Sequence, residues 1–329
     1  MHPGRIIVLK SNVLRGLAII GLGLVSAAVA AADYPKRAIR LVVPYVPGGV
    51  TDSMARLLAQ KLSERVGQPV VVENKPGAGG VIGAENVIGA APDGHSLLFG
   101  TVTLTVYPSY EKNFTYDIHK DLAPITITSN APYVISVSKD SPFKTLDDLI
   151  QYAKANPNKL NFGSPGVGTS THLAFEYFLK AADIKMVHVP YKGSAATLPA
   201  LMSGEVQANM DTYIGIAGAV ESGQIRPLAI TSKERAAFNP SIPTADEAGL
   251  KNFTVDTWFG VFAPGKTPSD IVAKLNTELV EVLKDPQVVK NFTSQGSIIA
   301  NSSEAFAQVL VDDEKKWAKV IEDAGLKTQ

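Results

Sequence analysis

A Pro-Gly-Gly turn stands between a strand pattern and an amphipathic helix pattern near the start of the chain. Residues 39–44 have the composition of a buried strand, Pro47-Gly48-Gly49 follows, and apolar residues then recur at three- and four-residue steps over residues 52–66. The first backbone N–H groups of such a helix have no partner within it and point outward beyond the carboxyl end of the strand. The turn therefore predicts a binding site for an anion such as a carboxylate.

The same turn has a purely structural interpretation that stays open beside the functional one. Thr51 would be the N-cap of the helix, and Asp52 would complement the positive end of its dipole. Thr51 could equally donate its hydroxyl to a ligand. We interpret Asp52 as structural, because a carboxylate at this position repels an anionic ligand.

A second glycine-rich turn, Ser164-Pro-Gly-Val-Gly-Thr169-Ser170, connects a predicted short strand over residues 161–163 with a predicted helix over residues 169–182. It adds hydroxyl groups to the same backbone geometry. Because the two turns lie in separate halves of the chain, they predict a protein that captures a small acid with two polar ends across a cleft.

Further candidate ligand-binding residues follow other predicted strands. Asp211 ends an apolar strand, where its carboxylate would accept a hydrogen bond from a ligand amine, a hydroxyl or a water molecule, or equally would cap the next helix. Tyr191 and Thr101 occupy comparable loop positions, and the side chains of Tyr45, Val50 and Tyr191 are expected to set selectivity. The predicted ligand-binding residues are Tyr45, Gly48, Gly49, Val50, Thr51, Thr101, Ser164, Thr169, Ser170, Tyr191 and Asp211.

The sequence does not contain the motifs of nucleotide binding, hydrolysis or metal binding with the spacing that these functions require. Gly77-Ala-Gly79-Gly-Val-Ile-Gly83 resembles a dinucleotide fingerprint, but its last interval is one residue too long and the expected acid is missing, so its glycines predict tight packing. Neither Ser164 nor Ser170 lies in the Gly-x-Ser-x-Gly turn of a hydrolase nucleophile. The histidines lack metal-ligand spacing, and His172 is interpreted as a packing or capping residue. We therefore predict no catalytic residue, no metal and no cofactor.

The first 32 residues have the pattern of a secretory signal: basic residues, an apolar run over residues 16–25, and small residues that place cleavage after Ala30 or Ala32. A retained membrane anchor is the alternative. The whole chain has 31 basic and 31 acidic residues; without the three basic residues of the leader, 28 basic residues face 31 acidic ones over 297 residues. Without a basic cluster, no nucleic-acid partner is expected. The chain contains no cysteine, so a hydrophobic core must hold it together.

Strand and helix patterns alternate along nearly the whole chain, which predicts an α/β fold with largely parallel sheets. We expect two lobes with the ligand in the cleft between them, at the carboxyl ends of the strands. The predicted organisation is a signal peptide over residues 1–32, lobe one over 33–130, lobe two over 131–235, and a return to lobe one over 236–329. Residues 232–243 are expected to carry the chain back.

Several runs resemble one known family. These are Tyr34-Pro35 with residues 39–52, residues 67–84, Ala91-Pro-Asp-Gly94, residues 166–173, Pro190-Tyr-Lys-Gly193, and Met210-Asp211. Together they resemble the Bug proteins, the periplasmic solute receptors of tripartite tricarboxylate transporters. The resemblance spans nearly the whole chain after the leader. Tyr45-Val46 and Met210 depart from the more usual Phe-Ala and Phe, which puts a ligand borrowed from any relative in doubt.

The resemblance implies a two-lobed periplasmic binding protein, of the Venus-flytrap type, that closes on a carboxylate-bearing solute and delivers it to a membrane permease. We expect a monomer with no enzymatic activity. The family's binding positions correspond here to Gly48, Gly49, Thr51, Ser164, Thr169, Ser170 and Asp211. Two alternatives remain at this point: a periplasmic receptor that presents its ligand to a membrane kinase, and an exported enzyme for a small carboxylic acid that uses His172 or Asp211 as acid–base groups.

Overall fold

The computed structural model describes residues 34–111, 115–294 and 296–324. The predicted signal peptide, residues 1–32, lies outside these ranges. In the described parts of the chain, no helix is long and apolar enough to cross a membrane.

The described residues form one mixed sheet covered by helices. The strands are β1 (Ile39–Val43), β2 (Val70–Asn74), β3 (Ser96–Thr101), β4 (Leu122–Ser138), β5 (Asn161–Ser164), β6 (Val187–Pro190), β7 (Ala208–Thr212), β8 (Ile225–Ile230), β9 (Asp256–Pro264) and β10 (Ser297–Ile298). The helices are α1 (Val50–Val66), α2 (Val81–Ile88), α3 (Thr103–Tyr110), α4 (Ile118–Asp121), α5 (Leu146–Ala155), α6 (Ser170–Ala182), α7 (Ser194–Ser203), α8 (Tyr213–Glu221), α9 (Ser269–Val282), α10 (Pro286–Thr293) and α11 (Ser303–Ala324).

Helix α1 begins two residues earlier than its apolar pattern predicts. Gly49 is the N-cap and no side chain caps it, so Thr51 lies inside the first turn and the N-cap interpretation of Thr51 is wrong. The helix ends where Gly67 adopts a left-handed conformation, with φ of 69°. Helix α3 was not predicted, because Pro108 and its β-branched and aromatic residues disguise the helical period.

The expectation of largely parallel sheets is wrong. The strand order is β2-β1-β3-β9-β4-β7-β5-β6, with β8 and β10 also paired to β4. Strand β1 is parallel to β2 and β3, and β5 is parallel to β6 and β7. In contrast, β4 runs antiparallel to β7, β8, β9 and β10. A buried strand reads as an apolar run in either direction, so the pattern alone did not reveal the reversal.

Strand β4 links the two lobes, because its pairing partner changes along its length. Up to Pro132 it pairs with β9, and from Tyr133 onward it pairs with β7 and β8. After β8, the chain still packs on lobe two: Thr244 bridges to Ile230, and Ile242 lies in the same buried cluster as Val134. We therefore propose lobe boundaries at 132/133 and 255/256. The second lies later than the predicted return at residue 236, because apolar residues in the intervening loops stay on lobe two.

The core continues through both lobes. One cluster fills lobe one between the sheet and helices α1, α9 and α10, and another lies under α7 and α8 in lobe two. A third contains buried residues of both lobes together with Phe306 and Trp317 of α11. Helix α11 packs against α3 of lobe one and α6 of lobe two. The C-terminal helix thus contacts both lobes and supports the hinge between them.

Candidate functional site

A cavity of about 610 Å³ lies between the lobes, where the strands of both end. All of the predicted ligand-binding residues line it except Gly48, Ser164 and Tyr191. The lining residues among them are Tyr45, Gly49, Val50, Thr51, Thr101, Thr169, Ser170 and Asp211.

The start of α1 presents free backbone donors to this cavity. Gly49, Val50 and Thr51 line it, and no side chain caps the helix. The preceding N–H group is already used, since Gly48 N donates to Asp52 Oδ2 at 3.0 Å. Gly48 therefore shapes the turn, with φ of 85°, while the next residues supply the groups that face an anion.

Asp52 is held in a network that belongs to the fold. Arg56 Nε donates to its Oδ2 at 2.9 Å, and Asn74 Nδ2 donates to its Oδ1 at 2.9 Å. Burial opposes ionisation, but the hydrogen bonds from Arg56, Gly48 and Asn74 outweigh it, so the pKa of Asp52 lies below its ordinary value. The partners neutralise the carboxylate beside the anion-binding helix start, which supports the structural interpretation of Asp52.

The second glycine-rich turn approaches the first lobe directly. Thr169 is the N-cap of α6 and accepts a hydrogen bond from His172 N, and Ser170 N donates to Thr103 Oγ1 of lobe one at 3.2 Å. Ser164 lies behind this surface instead. Its hydroxyl accepts from Gly166 N at 3.2 Å and hydrogen bonds with His188 Nε2 at 2.7 Å, so it braces the loop from inside.

Two stacked histidines support that loop. The rings of His172 and His188 have centroids 4.0 Å apart, and Nδ1 of His172 accepts from Gly168 N at 3.2 Å. Burial and the neighbouring His172 lower the pKa of His188 to about 3. Neither ring lines the cavity. The packing interpretation of His172 is therefore supported, and an acid–base role for it is not.

Two further helix starts, which the sequence analysis missed, face the cavity from lobe two. Helix α7 begins after Gly193 and α8 begins after Thr212, and neither has a side-chain cap. Ser194 and Thr212 both line the cavity. Their signal in the sequence was a hydroxyl residue: Ser194 directly follows the family run that ends at Gly193, and Thr212 directly follows the predicted site residue Asp211.

Asp211 faces the cavity and also hydrogen bonds to the start of the next helix. Its Oδ1 accepts from Thr212 N at 2.8 Å. Burial raises the pKa of Asp211 to about 6, against the opposing effect of hydrogen bonds from Thr212 and Ser194. Both alternatives for this residue, cavity-facing acid and helix partner, thus describe the same carboxyl group.

The aromatic residues expected to set selectivity have different positions. The hydroxyl of Tyr45 hydrogen bonds with Thr101 Oγ1 at 2.8 Å and donates to Thr103 Oγ1 at 3.2 Å, beside the cavity. Tyr191 points away from it, since its hydroxyl donates to Glu205 Oε1 at 2.7 Å. Burial and Glu205 raise the pKa of Tyr191 to about 12. The ring of Tyr191 therefore supports the loop that carries Lys192.

Strands β4 and β9 supply lining residues that no sequence motif marked, namely Tyr133, Thr257 and Phe259, and helix α3 supplies Tyr107. Lys192 and the glycines Gly77, Gly79 and Gly80 also line the cavity; they lie in runs that carry the family resemblance but were not among the predicted ligand-binding residues. The packing role predicted for the Gly77–Gly83 run holds at Gly83, where a Cβ would lie 2.6 Å from Pro44 Cβ.

The charges around the cavity are few. Lys192 is the single basic side chain among the described lining residues, and Asp52 and Asp211 are the acidic ones. An anion in this cavity therefore meets mainly backbone N–H groups and hydroxyls, concentrated at the positive ends of helices from both lobes.

Comparison with known proteins identifies the family. The model of the tripartite tricarboxylate transporter family receptor, TctC, matches residues 54–326. This chain belongs to that family. The resemblance to Bug proteins found in the sequence is thereby confirmed.

Relatives of this TctC receptor match its sequence or its structure along almost their whole length. BugT of Bordetella pertussis (strain Tohama I) is 36% identical over 324 residues, covering 96% of this chain and 99% of BugT. The periplasmic binding protein BugD has a similar structure, with 33% identity, a TM-score of 0.85, and coverage of 90% of this chain and 100% of BugD. These similarities confirm the two-lobed α/β fold.

Two structures similar to this TctC receptor contain bound acids. MatC from Rhodopseudomonas palustris, with bound malate, is 31% identical with a TM-score of 0.83, and the match covers 88% of this chain and 100% of MatC. An R. palustris protein with adipate is 34% identical with a TM-score of 0.85, and the match covers 89% of this chain and 99% of that protein. The family and these neighbours are binding proteins.

Proposed function

We propose that this receptor captures a small carboxylate-containing solute in the periplasm and delivers it to the membrane permease of a tripartite tricarboxylate transporter, as a monomer. The observation that carries the proposal is the convergence of helix starts without side-chain caps from both lobes on one cavity. Helix α1 contributes the N–H groups near Gly49, and the starts of α7, at Ser194, and of α8, at Thr212, line the opposite wall, where the Thr212 N–H is already hydrogen bonded to Asp211.

The geometry explains how capture drives closure. One end of an acid binds at the start of α1 in lobe one, and its other end meets Thr169, Ser170 and Asp211 in lobe two. A solute that contacts both lobes binds the closed state better than the open one, so it shifts the population toward closure. A permease that reads the closed surface then receives only loaded receptor.

The solute class follows from the shape and charge of the cavity. Donor-rich walls on both sides fit an acid with a second polar end, and the related structures with malate and adipate contain acids of this kind. The signal pattern of residues 1–32 supports export to the compartment in which related receptors work.

The Ser164–His188 pair near the site supports binding rather than catalysis. Ser164 and His188 lie 2.7 Å apart, but neither lines the cavity. The serine hydroxyl accepts from the backbone of its own loop, and a histidine whose pKa is about 3 is a poor base at neutral pH.

Thermal unfolding of the purified mature chain with malate, adipate and their amides tests the proposal. An acid at ~100 times its dissociation constant should add roughly 2.7 kcal/mol to the free energy of unfolding, and the amides should add none. The chain is first unfolded and refolded to remove solute carried through purification. No response to any acid after refolding would contradict the proposal.

A variant at Gly49 tests whether the anion binds at the start of α1. Its backbone, with φ of −82° and ψ of 176°, accepts any residue, and the nearest atom to an added Cβ is Val46 O at 4.0 Å. Gly49→Leu should therefore fold normally and lose the response to acids. Gly218→Leu is the control, because an added Cβ there meets nothing within 4 Å and Gly218 lies outside the cavity.

A further inference from the structure

Two buried hydroxyl groups face the cavity without a hydrogen-bond partner. Tyr133 of β4 and Thr212 of β7 are opposite each other in the antiparallel ladder, at the point where β4 enters lobe two. Only 1% of Tyr133 and 3% of Thr212 is exposed. Both line the cavity, and neither hydroxyl makes a hydrogen bond with any described residue.

Unpartnered hydroxyls at this depth are uncommon, because a buried polar group without a hydrogen bond loses its interaction with water and gains nothing in return. Burial raises the pKa of Tyr133 well above its ordinary value, so its hydroxyl keeps its proton and can donate it. Ser170 and Thr257 lie near enough to oppose that effect, but they are not placed for a hydrogen bond of normal geometry. The Thr212 hydroxyl lies near Asp211 in the same way, and only the Thr212 backbone N–H makes a hydrogen bond of normal geometry with that carboxyl group.

Two other hydroxyls that line the cavity already have partners. Thr101 hydrogen bonds with Tyr45, and Thr169 Oγ1 donates to Gly166 O at 2.8 Å. Thr231, one strand away at the same hinge, is also fully buried, but its hydroxyl accepts from Tyr133 N at 2.8 Å and donates to Val255 O. Thr231 holds the hinge together, whereas Tyr133 and Thr212 face the space that a solute would fill.

We propose that Tyr133 and Thr212 form a polar subsite on the floor of the cleft that hydrogen bonds with an oxygen of a hydroxyl or carboxyl group of the solute. The inference rests on the proposed function. It adds a contact with the solute that the helix starts do not make. Tyr133 donates, and Thr212 can donate or accept, so the pair holds one oxygen beside Asp211, whose Oδ1 is occupied by Thr212 N. Solutes with only alkyl groups at this position leave both hydroxyls unpaired and are rejected.

Stability without solute provides the first test. Tyr133→Phe and Thr212→Val keep the shape of each side chain and remove only a hydroxyl that has no protein partner. We expect the melting temperature of the solute-free protein to stay the same or rise for both. Thr231→Val is the matched control and should lower the melting temperature, because it breaks the hydrogen bonds to Tyr133 and Val255. If Tyr133→Phe and Thr212→Val lowered the melting temperature as much as Thr231→Val does, the inference would be overturned.

Affinity for malate and succinate, measured by titration calorimetry, provides the second test. These acids differ by one hydroxyl group. Tyr133→Phe and Thr212→Val should each weaken malate binding roughly tenfold, about the value of one hydrogen bond to a buried partner. A loss for malate alone places the solute hydroxyl at the subsite, and an equal loss for succinate places a carboxyl group there; both results support the inference.

Unchanged affinity of both variants for an acid that the wild type binds would overturn the subsite while leaving the proposed function intact. A wild-type chain that responds to no acid contradicts the proposed function itself, and the subsite inference fails with it.

Discussion

Val50 of lobe one packs against Gly215 of lobe two across the cleft. A Cβ built on Gly215 would lie 3.2 Å from Val50 Cγ2 and 3.2 Å from Asp211 Oδ1. Val50 is the first residue of α1, whose N–H groups face the cavity, and Gly215 lies in the first turn of α8. The missing side chain of Gly215 therefore lets the anion-binding helix start of one lobe approach Asp211 of the other.

Gly215→Ala should weaken solute binding without destabilising the solute-free protein. The added methyl group meets Val50 only when the lobes close, and overpacking of this kind costs about 1–3 kcal/mol. In the open state the methyl group still meets Asp211 Oδ1, a contact that offsets part of the roughly 1 kcal/mol by which alanine stabilises a helix relative to glycine, so the net change in stability should be small. Titration calorimetry with malate or adipate measures the first effect, and urea unfolding without solute measures the second.

Gly218→Ala is the matched control, since the same helix gains a methyl group that touches nothing within 4 Å. Val50→Ala combined with Gly215→Ala should recover part of the lost affinity. Equal affinity of Gly215→Ala and Gly218→Ala would show that the Val50–Gly215 contact does not limit closure.

Asp211 should make the protein less stable as the pH rises from about 4 to about 6. Its folded pKa of about 6 exceeds the ordinary value of 3.8, so the native state keeps a proton that the unfolded chain releases in this window. Above pH 6 the ionised Asp211 lowers the free energy of unfolding of the wild type by a constant amount of up to roughly 3 kcal/mol. Asp211→Asn removes it, so urea unfolding at pH 4, 5, 6 and 7.5 should show the variant gaining on the wild type as the pH rises. Parallel stability curves would rule this out.

His188 should have the opposite effect. Its folded pKa is about 3 against 6.5, so the unfolded chain takes up a proton below pH 6.5 that the native state refuses. The stability that the neutral ring contributes is complete above pH 6.5 and is lost as the pH falls toward 3. His188→Asn should flatten the acid side of the stability curve. Ser164→Ala keeps the imidazole and should retain the slope while losing about 1 kcal/mol overall; a wild-type slope in His188→Asn would refute the assignment.

Asp52 should contribute to stability rather than to recognition. Asp52→Ala removes a charged acceptor of hydrogen bonds from Arg56, Asn74 and Gly48, and should cost about 2 kcal/mol at pH 7. Because the folded pKa is lowered, the wild-type contribution is present above pH 3.8 and disappears as the pH falls below it. Urea unfolding of Asp52→Ala, Arg56→Met and the double variant checks this, and strictly additive losses would mean that the pair is not coupled.

The amino-acid sequence by itself determined the local structural features of this protein. The glycine turns at residues 48–49 and 166–168 and the helices that follow them depend on neighbours within a few residues, so composition and spacing predict them. The structural role of Asp52 was also predicted from its position at the helix start, although one of its partners, Asn74, is brought to it only by the fold. The family motifs, which extend from residue 34 to residue 211, led to the correct family. The mostly parallel sheet was a wrong prediction because strand direction leaves no mark on a buried apolar run.

Only the tertiary structure decided which side chains share the cleft. Ser164 and Tyr191 follow strands just as Thr169 and Asp211 do, yet the first two bind His188 and Glu205 away from the cavity. Tyr133 and Thr212 come together through a ladder between strands that are far apart in sequence, and Gly215 matters because Val50 of the other lobe arrives opposite it. Such contacts depend on how distant elements pack, and a local pattern holds no information about which distant residue will face it.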